Sequence, residues 1–181
     1  MPTLKLLGIS GALRQESTNR MLLKEAARLF EDNTYTEADI NLPLYDGDDE
    51  DADGVPAAVQ TLGQQIADAD AVVISTPEYN KGPSGVLKNA LDWVSRVEGD
   101  PWAGKPVAVM AAAAGRAGGE RATMTLRSFM QPFRTRILQG PELHLAASYE
   151  AFDESGQLKG KAYVRDLTRL MKDLRELAEG S

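Results

Sequence analysis

Ala71-Val72-Val73-Ile74-Ser75 runs directly into Thr76-Pro77-Glu78-Tyr79-Asn80, and eight residues after Asn80 comes Lys88-Asn89-Ala90-Leu91-Asp92-Trp93. The first five residues form an apolar run of the length of a buried strand. The next five are polar and contain proline, so the strand stops there. From Gly85 to Arg96 the apolar positions Leu87, Ala90, Leu91 and Val94 recur at helical spacing. A strand, a polar loop and a helix make the unit of an open α/β sheet. The loop at the strand's carboxyl end is where such sheets bind ligands.

The same alternation extends in both directions. Leu4 to Ile9, Thr34 to Ile40, Pro106 to Ala112 and Arg136 to Leu138 read as further strands. Asn19 to Phe30, Pro56 to Ala67, Glu120 to Phe133 and Lys161 to Leu177 read as further helices. The last is the best patterned, with Leu167, Leu170, Met171, Leu174 and Leu177 on one face. Alternating elements imply a parallel sheet with right-handed crossovers and helices on both faces. Five strands at this length fit a flavodoxin-like three-layer α/β sandwich with strand order 2-1-3-4-5. A chain of 181 residues is expected to form one domain, residues 1–181.

The net charge of −7 argues against nucleic-acid binding, which needs a basic face. It does not argue against small anions, which backbone N–H groups bind locally. The chain has no cysteine, so disulfides, thiolate metal sites and thiol nucleophiles are excluded. Its single histidine, His144, reads as structural. Met1 to Leu7 reads as the approach to a first strand rather than a signal peptide, and no apolar run approaches the roughly 20 residues that span a bilayer. A soluble cytoplasmic protein, with no membrane partner, is the expectation. The acidic run Asp46 to Gly54 invites a cation-site reading. Its like charges crowd together without ligand spacing, which favours a solvated surface loop.

The loop after the first strand reads Gly8-Ile9-Ser10-Gly11-Ala12-Leu13-Arg14-Gln15-Glu16-Ser17-Thr18-Asn19-Arg20. Hydroxyls from Ser10, Ser17 and Thr18, the Arg14 guanidinium and a helix N-terminus make a phosphate site. The same residues also read as a capped helix with a surface arginine. The loop lacks both the Gly-x-x-x-x-Gly-Lys-Ser/Thr and the Gly-x-Gly-x-x-Gly pattern, which favours a mononucleotide phosphate over a pyrophosphate or triphosphate.

Together, Gly11-Ala12-Leu13-Arg14-Gln15-Glu16-Ser17-Thr18-Asn19 and Pro77-Glu78-Tyr79-Asn80 resemble the motifs of the NADPH-dependent FMN reductase family. These are flavodoxin-like flavoproteins that include bacterial quinone and chromate reductases. The family's first loop reads Gly-Ser-Leu-Arg-x-x-Ser-x-Asn, so Ala12 is a departure that removes one hydroxyl donor. The resemblance implies FMN as cofactor and NADPH or NADH as co-substrate. It puts Ser10, Ala12, Leu13, Arg14, Ser17, Thr18 and Asn19 around the phosphate and Pro77, Glu78, Tyr79 and Asn80 along the isoalloxazine. Ala113 and Gly115, in the small-residue loop after the fourth strand, would approach the flavin edge.

A second departure is Lys81-Gly82-Pro83-Ser84-Gly85, where the proline stands one place earlier than in the family. Arg116 reads as a contact for the dinucleotide phosphate or as a solvated residue. Arg121 and Glu142 resemble positions that pair across subunits, which implies a homodimer or homotetramer.

The activity implied is ping-pong hydride transfer from NAD(P)H through the flavin to a small-molecule acceptor: a quinone, azo dye, nitro compound, metal oxyanion or free flavin. No side-chain acid, base or nucleophile is assigned. A flavin-binding electron carrier or interaction module without NAD(P)H oxidation is the alternative, although Leu13-Arg14 departs from the Thr/Ser/Gly run of electron-transfer flavodoxins. An α/β hydrolase lacks support, because Gly-x-Ser-x-Gly is absent.

Overall fold

The computed structural model describes residues 3–180. Met1 and Pro2, the start of the Met1 to Leu7 segment, lie outside the described residues, as does Ser181. The strands are β1 (Leu4–Ser10), β2 (Asn33–Ala38), β3 (Ala71–Thr76), β4 (Pro106–Ala112), β5 (Arg136–Ile137) and β6 (Leu143–Leu145). The helices are α1 (Thr18–Phe30), α2 (Gly47–Asp53), α3 (Ala57–Asp68), α4 (Gly85–Val94), α5 (Glu120–Met130) and α6 (Lys161–Glu179). The sheet order is β2-β1-β3-β4-β5, with every pairing parallel, as the alternation of elements predicts.

Burial explains why β3 and β4 are the most legible strands. All their residues are buried, so both faces need apolar side chains. On β4, Ala108, Met110 and Ala112 face a core shared with α1 and α6, while Val107 and Val109 face one shared with α3, α4 and α5. Adjacent residues thus serve opposite layers, which produces the three-layer sandwich.

Three expectations are corrected. The last strand is in two pieces: β5 pairs with Pro106–Val107 and β6 with Met110–Ala112, so together they flank the length of β4. The acidic run is not a loop but the short helix α2. Asp46 caps it by accepting the Asp48 N–H at 2.9 Å, and acidic residues in its first turn suit the helix dipole. It stays solvated, and no cluster of possible metal ligands occurs among the described residues. Finally, α5 ends at Met130, and the Pro132-containing turn Gln131–Phe133 is a 3-10 segment.

Beyond β2 the chain crosses to α4. The Asn89 Nδ2–H and the Trp93 Nε1–H both donate to the Pro43 carbonyl at 2.8 Å, and Asn89 Oδ1 accepts the Tyr45 N–H at 2.9 Å. The Lys88 to Trp93 stretch thereby fastens a loop to the helix that follows the Pro77–Asn80 segment. No helix among the described residues is long and apolar enough to cross a membrane.

Candidate functional site

The loops after β1, β3 and β4 meet at the carboxyl edge of the sheet. The Gly11 N–H donates to the Ser75 carbonyl at 2.8 Å, and the Ser84 hydroxyl donates to the Gly11 carbonyl at 2.5 Å. A Cβ on Gly11 would lie 3.1 Å from Pro77 Cδ and 3.2 Å from both Ser84 Oγ and Thr76 Cα, so glycine lets the first loop rest against the second. Ser84 also caps α4. Its hydroxyl ties the first loop to this helix, a role that the displaced proline did not reveal.

In the first loop, Ser10 is buried and its Oγ exchanges hydrogen bonds with Ala12, at 3.2 Å from the N–H and 3.1 Å to the carbonyl. Leu13, Arg14, Gln15 and Glu16 are exposed. Their backbone N–H groups find no partner among the described residues. Ser17 caps α1 by accepting the Asn19 N–H, and Thr18 Oγ1 lies 2.9 Å from Ser148 Oγ. The capped-helix reading of Ser17 is therefore realised, and it coexists with an open row of donors at a helix N-terminus. That donor set fits a phosphate monoester.

Asn19 differs from its neighbours. It is 2% exposed, and its carboxamide bonds both polar backbone groups of Ala112 and the Ser75 hydroxyl. Its amide holds α1 against β3 and β4.

In the second loop, Tyr79 and Gly82 exchange backbone hydrogen bonds of 2.9 and 3.1 Å across a two-residue turn. The central residues, Asn80 and Lys81, have φ of 51° and 69°, the pair of positive values that a type I′ turn requires. Asparagine tolerates this conformation, whereas lysine is strained in it. Pro77 is buried, and the Tyr79 side chain is exposed at the rim. Glu78 Oε2 accepts the Ala122 N–H at 3.3 Å, so this carboxylate joins the second loop to the first turn of α5.

The third loop leaves β4 at Ala113, whose N–H donates to the Leu145 carbonyl and whose carbonyl accepts the Ser148 N–H. Ala114, Gly115, Arg116 and Ala117 are exposed. Small residues there leave the backbone free to approach a flat ring. Ser148 thus brings a fourth segment to the site, touching both Ala113 and Thr18. The sequence offered no signal for it, because its partner Thr18 lies 130 positions away. His144 Nε2 lies 2.8 Å from Thr123 Oγ1, in keeping with a structural role. Arg116, Arg121 and Glu142 are exposed.

A cleft of about 500 Å³ lies elsewhere, between α4 and α5, lined by Leu91, Trp102, Phe129 and Phe133. Its cations Lys88 and Arg134 are paired with Asp92 and Asp100, and no residue of the three loops lines it.

Residues 4–150 match the family model of the NADPH-dependent FMN reductases. The chain belongs to this family. It is 44% identical over 157 residues to an NAD(P)H-dependent FMN reductase of Pseudomonas aeruginosa, covering 86% of this chain and 84% of that protein. It is 40% identical over 143 residues to a quinone reductase of Escherichia coli, covering 77% and 76%. Among solved structures, the NAD(P)H:(acceptor) oxidoreductase FerB of Paracoccus denitrificans superposes with a TM-score of 0.88 at 30% identity, over 98% of each chain.

The chain is therefore an NAD(P)H-dependent flavin oxidoreductase with FMN as cofactor. Family membership decides against the electron-carrier alternative. The flavodoxin-like sheet is the one that the alternation of strands and helices anticipated.

Proposed function

We propose that this protein is a single-domain cytoplasmic quinone reductase that works as a homodimer or homotetramer. The observation that carries the reading is the convergence of the first loop's free N–H donors with the Pro77–Asn80 and Ala113–Gly115 segments at one edge of the sheet. The quinone choice among acceptors rests on the similarity to the Escherichia coli quinone reductase.

Bound FMN supplies reversible two-electron chemistry, which lets one site take hydride from NAD(P)H and later deliver it to the acceptor. The protein's part is to bind and orient. Arg14, the N–H groups of Leu13 to Glu16, and Thr18 hold the phosphate. Ser10 fixes the Ala12 peptide, Ser17 sets the helix end, and Asn19 secures that end to the sheet. Pro77, Glu78, Tyr79 and Asn80 form one wall for the ring system, with backbone rigidity from the tight turn and from the Glu78 contact to α5. Ala113 and Gly115 bring backbone to its edge. The exposed Tyr79 side chain lies where substrates enter in turn. Arg121 and Glu142, both exposed, are assigned to the subunit interface.

The test is the visible spectrum of the purified protein without air. A yellow protein that bleaches with NADPH and recovers its colour with benzoquinone supports the reading. A yellow protein that bleaches but recovers only with free flavin, an azo dye, a nitro compound or a metal oxyanion overturns the quinone assignment. A colourless protein that takes up no added FMN overturns the site.

A further inference from the structure

Arg20 follows the nine-residue motif and has no role in the reading above. It lies in the first turn of α1, half-buried, and its guanidinium reaches three groups. Nε lies 3.4 Å from the Ala12 carbonyl, Nη1 lies 3.4 Å from Gln15 Oε1, and Nη1 also lies 3.2 Å from Glu37 Oε1. The contact with Glu37 is an ion pair without hydrogen-bond alignment, between side chains 23% and 19% exposed.

Glu37 is itself held in place. It sits near the end of β2, and the Tyr35 hydroxyl donates to its Oε2 at 3.4 Å. Tyr35 lies over Gly8 of β1, so closely that a Cβ on Gly8 would be 2.5 Å from the hydroxyl. A chain of contacts therefore runs from β1 through Tyr35, Glu37 and Arg20 to the first loop.

The Ala12 carbonyl accepts from both Ser10 Oγ and Arg20 Nε. In a trans peptide the C=O and the N–H point in opposite directions. Holding the Ala12 carbonyl towards Ser10 and Arg20 therefore turns the Leu13 N–H away from them, where it meets no partner among the described residues. Ala12 brings no hydroxyl of its own, so this peptide is the polar group that the position offers.

We propose that Arg20, anchored by Glu37, is a positioning residue that orients the Ala12–Leu13 peptide so that its N–H serves the phosphate of the cofactor. The inference rests on the phosphate-loop reading above. The Arg20 charge is matched by Glu37, so its contribution is orientation rather than net attraction.

The experiment is equilibrium titration of FMN-free protein with FMN and with riboflavin, followed by flavin fluorescence, with melting temperatures as a fold check. The ratio of the two affinities isolates the phosphate. The wild type is expected to prefer FMN. Arg20→Gln is expected to shrink that preference about tenfold, with riboflavin binding unchanged. Arg20→Lys is expected to restore part of it, because an ammonium still pairs with Glu37. Glu37→Gln is expected to lower the preference as well, and the double variant to be no worse than Arg20→Gln, since Glu37 acts through Arg20.

A preference retained in Arg20→Gln overturns the inference. So does an equal loss of both ligands, which marks a purely structural role. Tighter FMN binding by Glu37→Gln also overturns it, because relief of a nearby negative charge predicts that sign. A wild type that binds both ligands equally overturns the phosphate-loop reading itself, and this inference with it.

Discussion

Asn19 acts on Ala112 as a neighbouring strand would. Its Nδ2–H donates to the Ala112 carbonyl at 3.0 Å, and its Oδ1 accepts the Ala112 N–H at 3.0 Å. The same Oδ1 accepts the Ser75 hydroxyl at 2.8 Å. One side chain thus satisfies three buried polar groups on two strands and fixes the start of α1 over the sheet. Asn19→Ala leaves all three without a partner. An unpaired buried group costs about 1–3 kcal/mol, and partial relaxation brings the expected total to about 3 kcal/mol. Urea denaturation of the FMN-free protein measures it. A loss below about 1 kcal/mol would show that water replaces the amide.

Arg14 contrasts with Asn19, since it is exposed in the open part of the first loop. Arg14→Ala should leave stability within about 0.5 kcal/mol of the wild type. It should weaken FMN by about 1.5–3 kcal/mol, the worth of a charge-assisted contact, and leave riboflavin unaffected. Unchanged FMN affinity would remove Arg14 from the phosphate.

The sheet was legible because burial on both faces writes itself into composition. Ala71 to Thr76 and Pro106 to Ala112 have no exposed side to carry polar residues. Leu143–Leu145 was missed because three residues hold too little pattern, and pairing with Met110–Ala112 decides their conformation. The acidic helix was missed because charge crowding hid the Asp46 cap. In the site, the motifs located the loops but not each side chain's task. Asn19, Glu78 and Ser84 bond groups 93, 44 and 73 positions away. Local sequence carries no trace of such partners.

The glycines of the third loop separate support of the fold from access for the ligand. Gly119 has φ +97°, and a Cβ there would sit 2.5 Å from Ala111 Cβ. Gly119→Ala combines backbone strain with a clash in a buried loop, so a loss of about 3 kcal/mol is expected. A Cβ on Gly115 meets nothing within 4 Å. Gly115→Ala should therefore leave the melting temperature unchanged. It should weaken FMN and riboflavin together, because the assigned contact is with the ring edge they share. Unaltered binding of both would take Gly115 out of the site.

Tyr35 gives the protein a specific sensitivity to alkali. Burial, reinforced by the charge of Glu37 and by the hydrogen bond to it, holds the phenol well above its ordinary value of 10.0, against a weaker pull from Arg20. In the unfolded chain the phenol ionises near its ordinary value, while in the folded protein it keeps its proton. Above pH 10 the unfolded state therefore binds fewer protons than the folded state, and stability falls as pH rises. The contribution is complete below pH 10 and is lost towards the raised folded value. For one group the slope approaches about 1.4 kcal/mol per pH unit. Tyr35→Phe removes this term. At pH 7 it should cost about 1 kcal/mol, from the lost 3.4 Å hydrogen bond to Glu37 and from repacking over Gly8. Between pH 10 and 11 the variant's stability should fall less steeply than the wild type's, so the two curves converge and cross. Other tyrosines and lysines titrate in both proteins alike and cancel in the difference. Parallel curves across that interval would show that the Tyr35 phenol ionises as freely in the folded protein as in the unfolded chain.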